Sequence, residues 1–388
     1  ASINNRTEVI KLLIESGADV NTSNGWPLLW ASNFSNFEIV KLLLENGANV
    51  HADDNEALKR ASAKGCVQLV ELLLEYGANV HAWYDFALRH ASKNGHFEVV
   101  KLLLENGANA HAMDDCSLIF LLSRWKCGDA KLVKLLLEHG ADVHADNDLA
   151  LRKASEYGHY EVVKLLLENG ANVHACDDMA LQFAIRYGHF EVVKLLLENG
   201  AFVHVKNDYP LTFASEKGQF ELVKLLLEKG ANIHADWDPM REDLPLKLAS
   251  MNGHYEVVKL LLEKGANVHA DIEWPLKLAS ANGHFEVVKL LLEKGANAHA
   301  RDDYSLTFLL SHWKCGDAKL VKLLLEHGAD VHADNDLALR KASEYGHYEV
   351  VKLLLENGAN VHARDDEALI KASENGYVNI VKLLRKYK

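Results

Sequence analysis

The stretch DLALRKASEYGHYEVVKLLLENGANVHA, Asp148 to Ala175, decides how the rest of the chain is read. Leu149 to Tyr157 predicts a short helix with Leu151 and Ala154 on one face. Asp148 stands just before it, where a carboxylate can accept orphan backbone N–H groups. Gly158 and His159 make a turn. Glu161 to Asn169 predicts a second helix, whose Val162, Val163, Leu165, Leu166 and Leu167 are too apolar for a solvated surface. Gly170 suits the left-handed position that ends a helix, and Ala171 to Ala175 runs extended into the next repeat.

The pattern recurs along the chain. The glycine after each Leu-rich run falls at Gly17, Gly47, Gly77, Gly107, Gly140, Gly170, Gly200, Gly230, Gly265, Gly295, Gly328 and Gly358. Most spacings are 30, two are 33 and one is 35. A helix of about ten residues is marginal in water, so its apolar face must be covered by the next repeat. Residues 1–388 are therefore expected to be one array of about 13 repeats, with an incomplete first repeat and a C-terminal cap ending in Arg385, Lys386 and Lys388. Twelve steps of about 10 Å predict a curved rod on the order of 120 Å along its path.

GHFEVVKLLLENGANAHA from Gly95 and GHYEVVKLLLENGANVHA from Gly158 resemble the second helix and exit of the ankyrin repeat family. The resemblance covers essentially the whole chain. It implies an all-α helix-turn-helix solenoid with short β-hairpin connections and a protein-binding function. The short repeat and the wording KLLLENGA look most like ankyrin proteins of amoeba-infecting giant DNA viruses. Two departures matter. Three residues are missing before the first helix, which implies stubby hairpin fingers. The family's Thr-Pro-Leu-His start has also decayed, with Arg152 where the His would stand. Pro27, Pro210, Pro245 and Pro275 survive, at a place that suits the first helical turn.

Asp114–Asp178 and Asp302–Asp366 are the same 65 residues except at Cys116/Tyr304, Ile119/Thr307, Arg124/His312 and Cys176/Arg364. Either the copies are two equivalent docking surfaces, or the gene expanded recently and has not drifted.

The formal net charge is −13, with no long Lys/Arg run. That argues against nucleic acid and against an anionic membrane, and the Leu-rich runs are too short to span a bilayer. Five cysteines, Cys66, Cys116, Cys127, Cys176 and Cys315, with no Cys-x-x-Cys pair, fit a reducing compartment. The expected setting is intracellular, in the cytoplasm of a host cell, and the expected state is a monomer.

Histidine recurs in two rows. His51, His81, His111, His144, His174, His204, His234, His269, His299, His332 and His362 lie in the exits. His96, His159, His189, His254, His284 and His347 lie in the inter-helix turns. A metal ladder is opposed by repeat spacing, because neighbours about 8–10 Å apart cannot share an ion that needs nitrogens at about 2.1 Å. Repeated hydrogen bonding is the expected role. No catalytic motif breaks the repeat, so neither an enzyme nor a cofactor is expected.

Recognition in the family falls on first helices and fingers. The pairs before the inter-helix glycine vary while the core repeats, among them Tyr157, Arg186, Tyr187, Glu216, Lys217, Met251 and Asn252. Phe183, Phe213, Leu248, Leu278 and Phe308 read as core by the family register, with Arg60, His90, Lys153, Lys341 and Lys371 as polar exceptions. The 35-residue spacing lengthens one finger between Ala235 and Pro245, with Trp237, Met240 and Arg241, types enriched at binding hot spots and interface cores. That finger either contacts the partner or folds back as a plug. The expected function is a scaffold that binds a host protein. The alternatives are the substrate-recognition arm of a larger assembly, such as a ubiquitin-ligase adaptor, and a structural particle component.

Overall fold

The computed structural model describes residues 7–122, 129–235, 243–299, 306, 309 and 317–388. The chain divides into two compact units, Ala1–Ala201 and Phe202–Lys388. Each unit is a run of helix pairs. Every described second helix has nine residues, from Thr7–Glu15 to Val378–Lys386. Each first helix whose neighbours are described packs on its own second helix and, within a unit, on the first helix of the next repeat, as Thr22–Asn33 does on Phe37–Glu45 and Ala52–Lys64. Among the described residues no helix is long and apolar enough to cross a membrane.

The pattern of apolar residues explains the core. In the repeat at Asp148, Leu151 and Ala154 of the first helix are fully buried with Val162, Val163 and Leu166 of the second, Tyr160–Glu168. Leu165 and Leu167 flank that face and stay partly exposed. Each buried Leu or Val contributes roughly 1.5–3 kcal/mol. Gly170 ends the helix at φ +90°, with its N–H bonded to Leu167 O and that of Ala171 to Leu166 O, both at 3.0 Å. These two bonds satisfy carbonyls that a helix end leaves open.

The connections differ from expectation. No β-hairpin occurs among the described residues. The chain instead makes a left-handed turn of three residues, such as Asp146, Asn147 and Asp148 at φ 49°, 54° and 56°. The same turn occurs at Trp83–Asp85, Cys176–Asp178, Lys206–Asp208, Asp271–Glu273 and Asp334–Asp336. The shortened repeat leaves too little chain for a hairpin. A left-handed turn of non-glycine residues costs about 1–2 kcal/mol per residue, so something must hold it.

Two devices do. The first is the residue that stands where the family's His would be. Arg152 donates from Nε to Asn147 O at 3.1 Å and from Nη2 to Asp146 O at 2.6 Å. Arg89 and Arg340 repeat the two-pronged bond, and Gln182 and Lys277 reach back to Asp177 O and Ile272 O of their own turns. The second is the last residue of the turn. Asp148 does not cap its own helix. Its Oδ1 accepts the backbone N–H of Asn172 in the next repeat at 2.7 Å and lies 3.1 Å from His144 Nδ1. Asn55, Asp85 and, in the second unit, Asp208 and Asp336 receive the next exit's N–H in the same way at 2.7–2.8 Å.

This ladder gives a first test. Asp148→Ala is expected to lower stability by about 1.5 kcal/mol, because Asn172 N–H loses its acceptor. Asp148→Asn is expected to cost less than half as much, since Asn55 already does this work at the equivalent place. Urea unfolding followed by circular dichroism measures both, and equal losses would show that charge rather than the hydrogen bond matters.

Candidate protein-binding surface

Positions four apart on a helix share a face. In the first helices whose side chains are described, three such positions look outward beside the packed face. They read Trp26, Trp30, Phe34 in one repeat, Glu56, Arg60, Lys64 in the next and Phe86, His90, Asn94 in the third. Further along the first unit come Leu149, Lys153, Tyr157 and Met179, Phe183, Tyr187. The second unit has Tyr209, Phe213, Lys217, then Leu244, Leu248, Asn252, then Trp274, Leu278, Asn282. None of these side chains is fully buried. Phe183, Phe213, Leu248 and Leu278, expected in the core, are half-buried. The first helix offers its small residues to the interior, Ala154 and Ser155 for example, and the middle outward position rests on the rim. Phe308 lies outside the described residues.

The candidate residues take distinct places. In the first unit Tyr157 is half-buried, with Lys153 Nζ 5.8 Å from its ring centroid. Arg186 and Tyr187, one repeat on, are exposed. In the second unit Lys217 is exposed. It pairs with Glu216 at 2.8 Å, and its Nζ lies 5.4 Å from the Phe213 ring centroid. The backbone carbonyls of Glu216 and Met251 accept from His254 and His284 Nε2 at 2.8 and 2.9 Å. The side chain of Met251 is half-buried. Asn252 is exposed and spends its amide on Leu248 O at 2.9 Å. Helices Val205–Glu216 and Leu244–Met251 pack together, as do Ala145–Glu156 and Ala175–Arg186. The candidates thus form one neighbouring set in each unit.

Trp237, Met240 and Arg241 lie outside the described residues. The base of their finger is described, and it is closed. Leu244 N–H donates to Ala235 O at 3.0 Å, and the buried Asp243 lies 3.0 Å from His234 Nδ1. The histidine–carboxylate contact therefore survives the five added residues. Trp125, Lys126, Cys127 and their copies Trp313, Lys314 and Cys315 also lie outside.

The histidine rows are structural partners. In the exit row His81, His144, His174, His204, His332 and His362 each place Nδ1 2.8–3.2 Å from a carboxylate oxygen four residues on. In the turn row, His96, His189, His254 and His284 reach a backbone carbonyl of the preceding repeat with Nε2 at 2.8–3.1 Å. Nε2 of His159 and of His347 is buried without a bond.

Burial lowers the pKa of both His159 and His347 below the ordinary 6.5, and the charge of His189 adds to the effect on His159. The neutral imidazole is therefore the form the fold prefers. A depressed histidine pKa gives stability that is full above 6.5 and is lost as pH falls from there through the folded value. NMR titration of the two rings is expected to give midpoints below 6.5, and a midpoint at or above it contradicts this account.

Sequence reasoning missed two groups of aromatics outside the core. Exposed Trp26 and half-buried Trp30 continue the stripe that ends at Phe34, and the spacing of four was the available signal. Trp83 and Tyr84 are 59% and 73% exposed on a left-handed turn. No sequence signal marked them, because the expected hairpin would have placed them differently.

A sequence model described as "Ankyrin repeats (3 copies)" matches at residues 1–84, 51–114, 88–177, 119–207, 181–272, 211–302, 276–365 and 309–388. Among solved structures, the crystal structure of the human ASB11 ankyrin repeat domain is similar, at 27% identity over 54% of this chain and 97% of that one, with a TM-score of 0.47. The comparison with curated proteins gave no match. Since the family matches overlap from the first residue to the last and the helix pairs repeat in the same register, the chain belongs to the ankyrin repeat family.

Proposed function

We propose that the chain is a protein-binding scaffold, one array of about 13 repeats that holds its partner on the outward positions of the first helices. One observation carries this reading. Core residues and the turn's last residue, Asp in most repeats, recur nearly unchanged, while the half-exposed stripe changes in every repeat outside the copied segment. The contact residues on this reading are Tyr157, Arg186 and Tyr187 in the first unit. In the second they are Glu216, Lys217, Met251 and Asn252, with the finger that carries Trp237, Met240 and Arg241. The closed base at Ala235 and Leu244 supports a finger that is an addition to the repeat rather than part of its packing. The KLLLENGA wording supports a giant-virus origin and a host protein, met in the cytoplasm of the infected cell.

Photo-crosslinking tests the reading. Benzoylphenylalanine is placed at Tyr187, Lys217 or Trp237, and separately at Lys164 and Lys259, which are exposed on second helices. In lysate of a eukaryotic host cell, adducts to a common protein are expected from the first three positions. Adducts from Lys164 and Lys259 alone would move the site to the opposite face.

A further inference from the structure

The most apolar part of the first-helix surface lies where no candidate was placed, at the start of the first unit. From Thr22 to Asn36 there is no charged residue. Trp26 and Trp30 have ring centroids 5.5 Å apart, and Trp30 stacks on Phe34 at 5.9 Å with planes 21° apart. Trp26 is 53% exposed and Phe34 51%. Three large rings along one helix face are not needed to bury the core, which is filled below them by Leu28, Leu29 and Ala31.

The next repeat adds charge to the same surface. The Arg60 guanidinium lies 5.8 Å from the Trp30 centroid, and Lys64 Nζ 5.9 Å from that of Phe34. Lys64 also bonds Asn33 O, which holds it at the edge of the stack. Glu56 is the one carboxylate of this stripe, and it is engaged by Arg60 Nε at 2.8 Å. A chain of net charge −13 therefore presents aromatic rings edged by two cations against one paired carboxylate.

We infer that the Trp26–Trp30–Phe34 face, with Arg60 and Lys64, binds an extended acidic peptide segment that carries aromatic or aliphatic side chains. This rests on the scaffold reading above and adds the chemistry of one partner segment. The rings supply apolar area at low entropic cost, and interface hot spots favour Trp and Arg. The cations supply direction. Acidic side chains of the segment are drawn to Lys64 and Arg60 and kept off Asp53 and Asp54 on the adjoining turn, which selects register. A nucleic-acid strand fits less well, because it needs a continuous basic track for its regularly spaced phosphates. Exposed Asp53 and Asp54 on the adjoining turn interrupt any such track.

The test uses the full chain and a phage-displayed library of random 16-residue peptides. Selected sequences are synthesised and titrated by tryptophan fluorescence. The inference expects enrichment in Asp and Glu alternating with Leu, Phe or Trp. It expects affinity to fall at least tenfold in Trp30→Ala and in the double variant Arg60→Glu/Lys64→Glu, and to be unchanged in Lys164→Ala, on an exposed second-helix position. Peptides with Lys in place of the acidic residues should regain binding to the charge-reversed variant, a result that misfolding cannot give. Selection without acidic enrichment would overturn the inference, as would undiminished binding to the charge-reversed variant, or displacement of the peptide by oligo(dT) at equal concentration. Peptides that lose affinity only in Tyr187→Ala would sink it while leaving the scaffold reading intact. Second-helix crosslinks would sink that reading instead.

Discussion

Replacing Gly158 by alanine is expected to cost about 3 kcal/mol, against about 1 kcal/mol for the same change at Gly170. Both glycines have positive φ, +74° and +90°. A side chain in the left-handed region costs about 1 kcal/mol at either place. The difference comes from the next repeat. A Cβ on Gly158 would stand 2.5–2.8 Å from Nδ1, Cε1 and Cγ of His189, whereas nothing lies within 4 Å of one on Gly170. The His189 ring cannot simply swing away, because its Nε2 is held 3.0 Å from Glu156 O. Overpacking of this kind costs roughly 1–3 kcal/mol. Urea unfolding of the two single variants gives the difference. The pair Gly158→Ala with His189→Ala should show a favourable coupling of about 1–2 kcal/mol, as neighbours in contact do. Equal losses at Gly158 and Gly170 would leave only the backbone preference.

Arg340→Ala is expected to destabilise the second unit by about 3 kcal/mol. The side chain is 4% exposed, and its guanidinium donates to Asn335 O at 3.0 Å, Asp334 O at 2.8 Å and Glu367 Oε2 at 2.8 Å. The first two bonds hold the left-handed turn, and the third ties it to the following repeat. Truncation leaves two carbonyls and a carboxylate without the donor that served all three. Arg340→Lys keeps the charge but not the fork, so about half of the loss is expected to remain. Repeat arrays are stabilised by neighbour terms. Hydrogen exchange is therefore expected to quicken over Ala333–Tyr345 and Ala363–Glu374 first. Uniform quickening across the second unit would contradict this local account. Ile370 stands at the equivalent place one repeat later and cannot donate, so the turn Arg364–Asp366 should exchange faster than Asp334–Asp336 in the unaltered protein.

Much of the fold was legible in the sequence for a simple reason. Leu151, Ala154, Val162, Val163 and Leu166 recur at fixed spacing, and an apolar face on a ten-residue helix has no stable place except against its neighbour. The glycine row was equally plain, since only a left-handed residue closes a helix with the bonds seen at Gly170. The outward pairs could be picked because they vary while the rest repeats.

Other features could not be read in one repeat at a time. Asp148 looks like a cap for its own helix, yet its carboxylate serves Asn172, 24 residues on. The three-residue deletion was visible, but its consequence was not. A left-handed turn of Asp, Asn or Trp residues is unfavourable locally, and it persists because Arg152 or Arg340 reaches back to its carbonyls and the next repeat donates an N–H to its last side chain. The need for glycine at Gly158 likewise comes from a ring one repeat away. Sequence periodicity by itself determined the helix pairs, their buried faces and the family. Only the packing of repeats decided the shape of the connections, the partners of the histidines and which aromatics remain in water, because each depends on atoms brought together across repeats rather than along the chain.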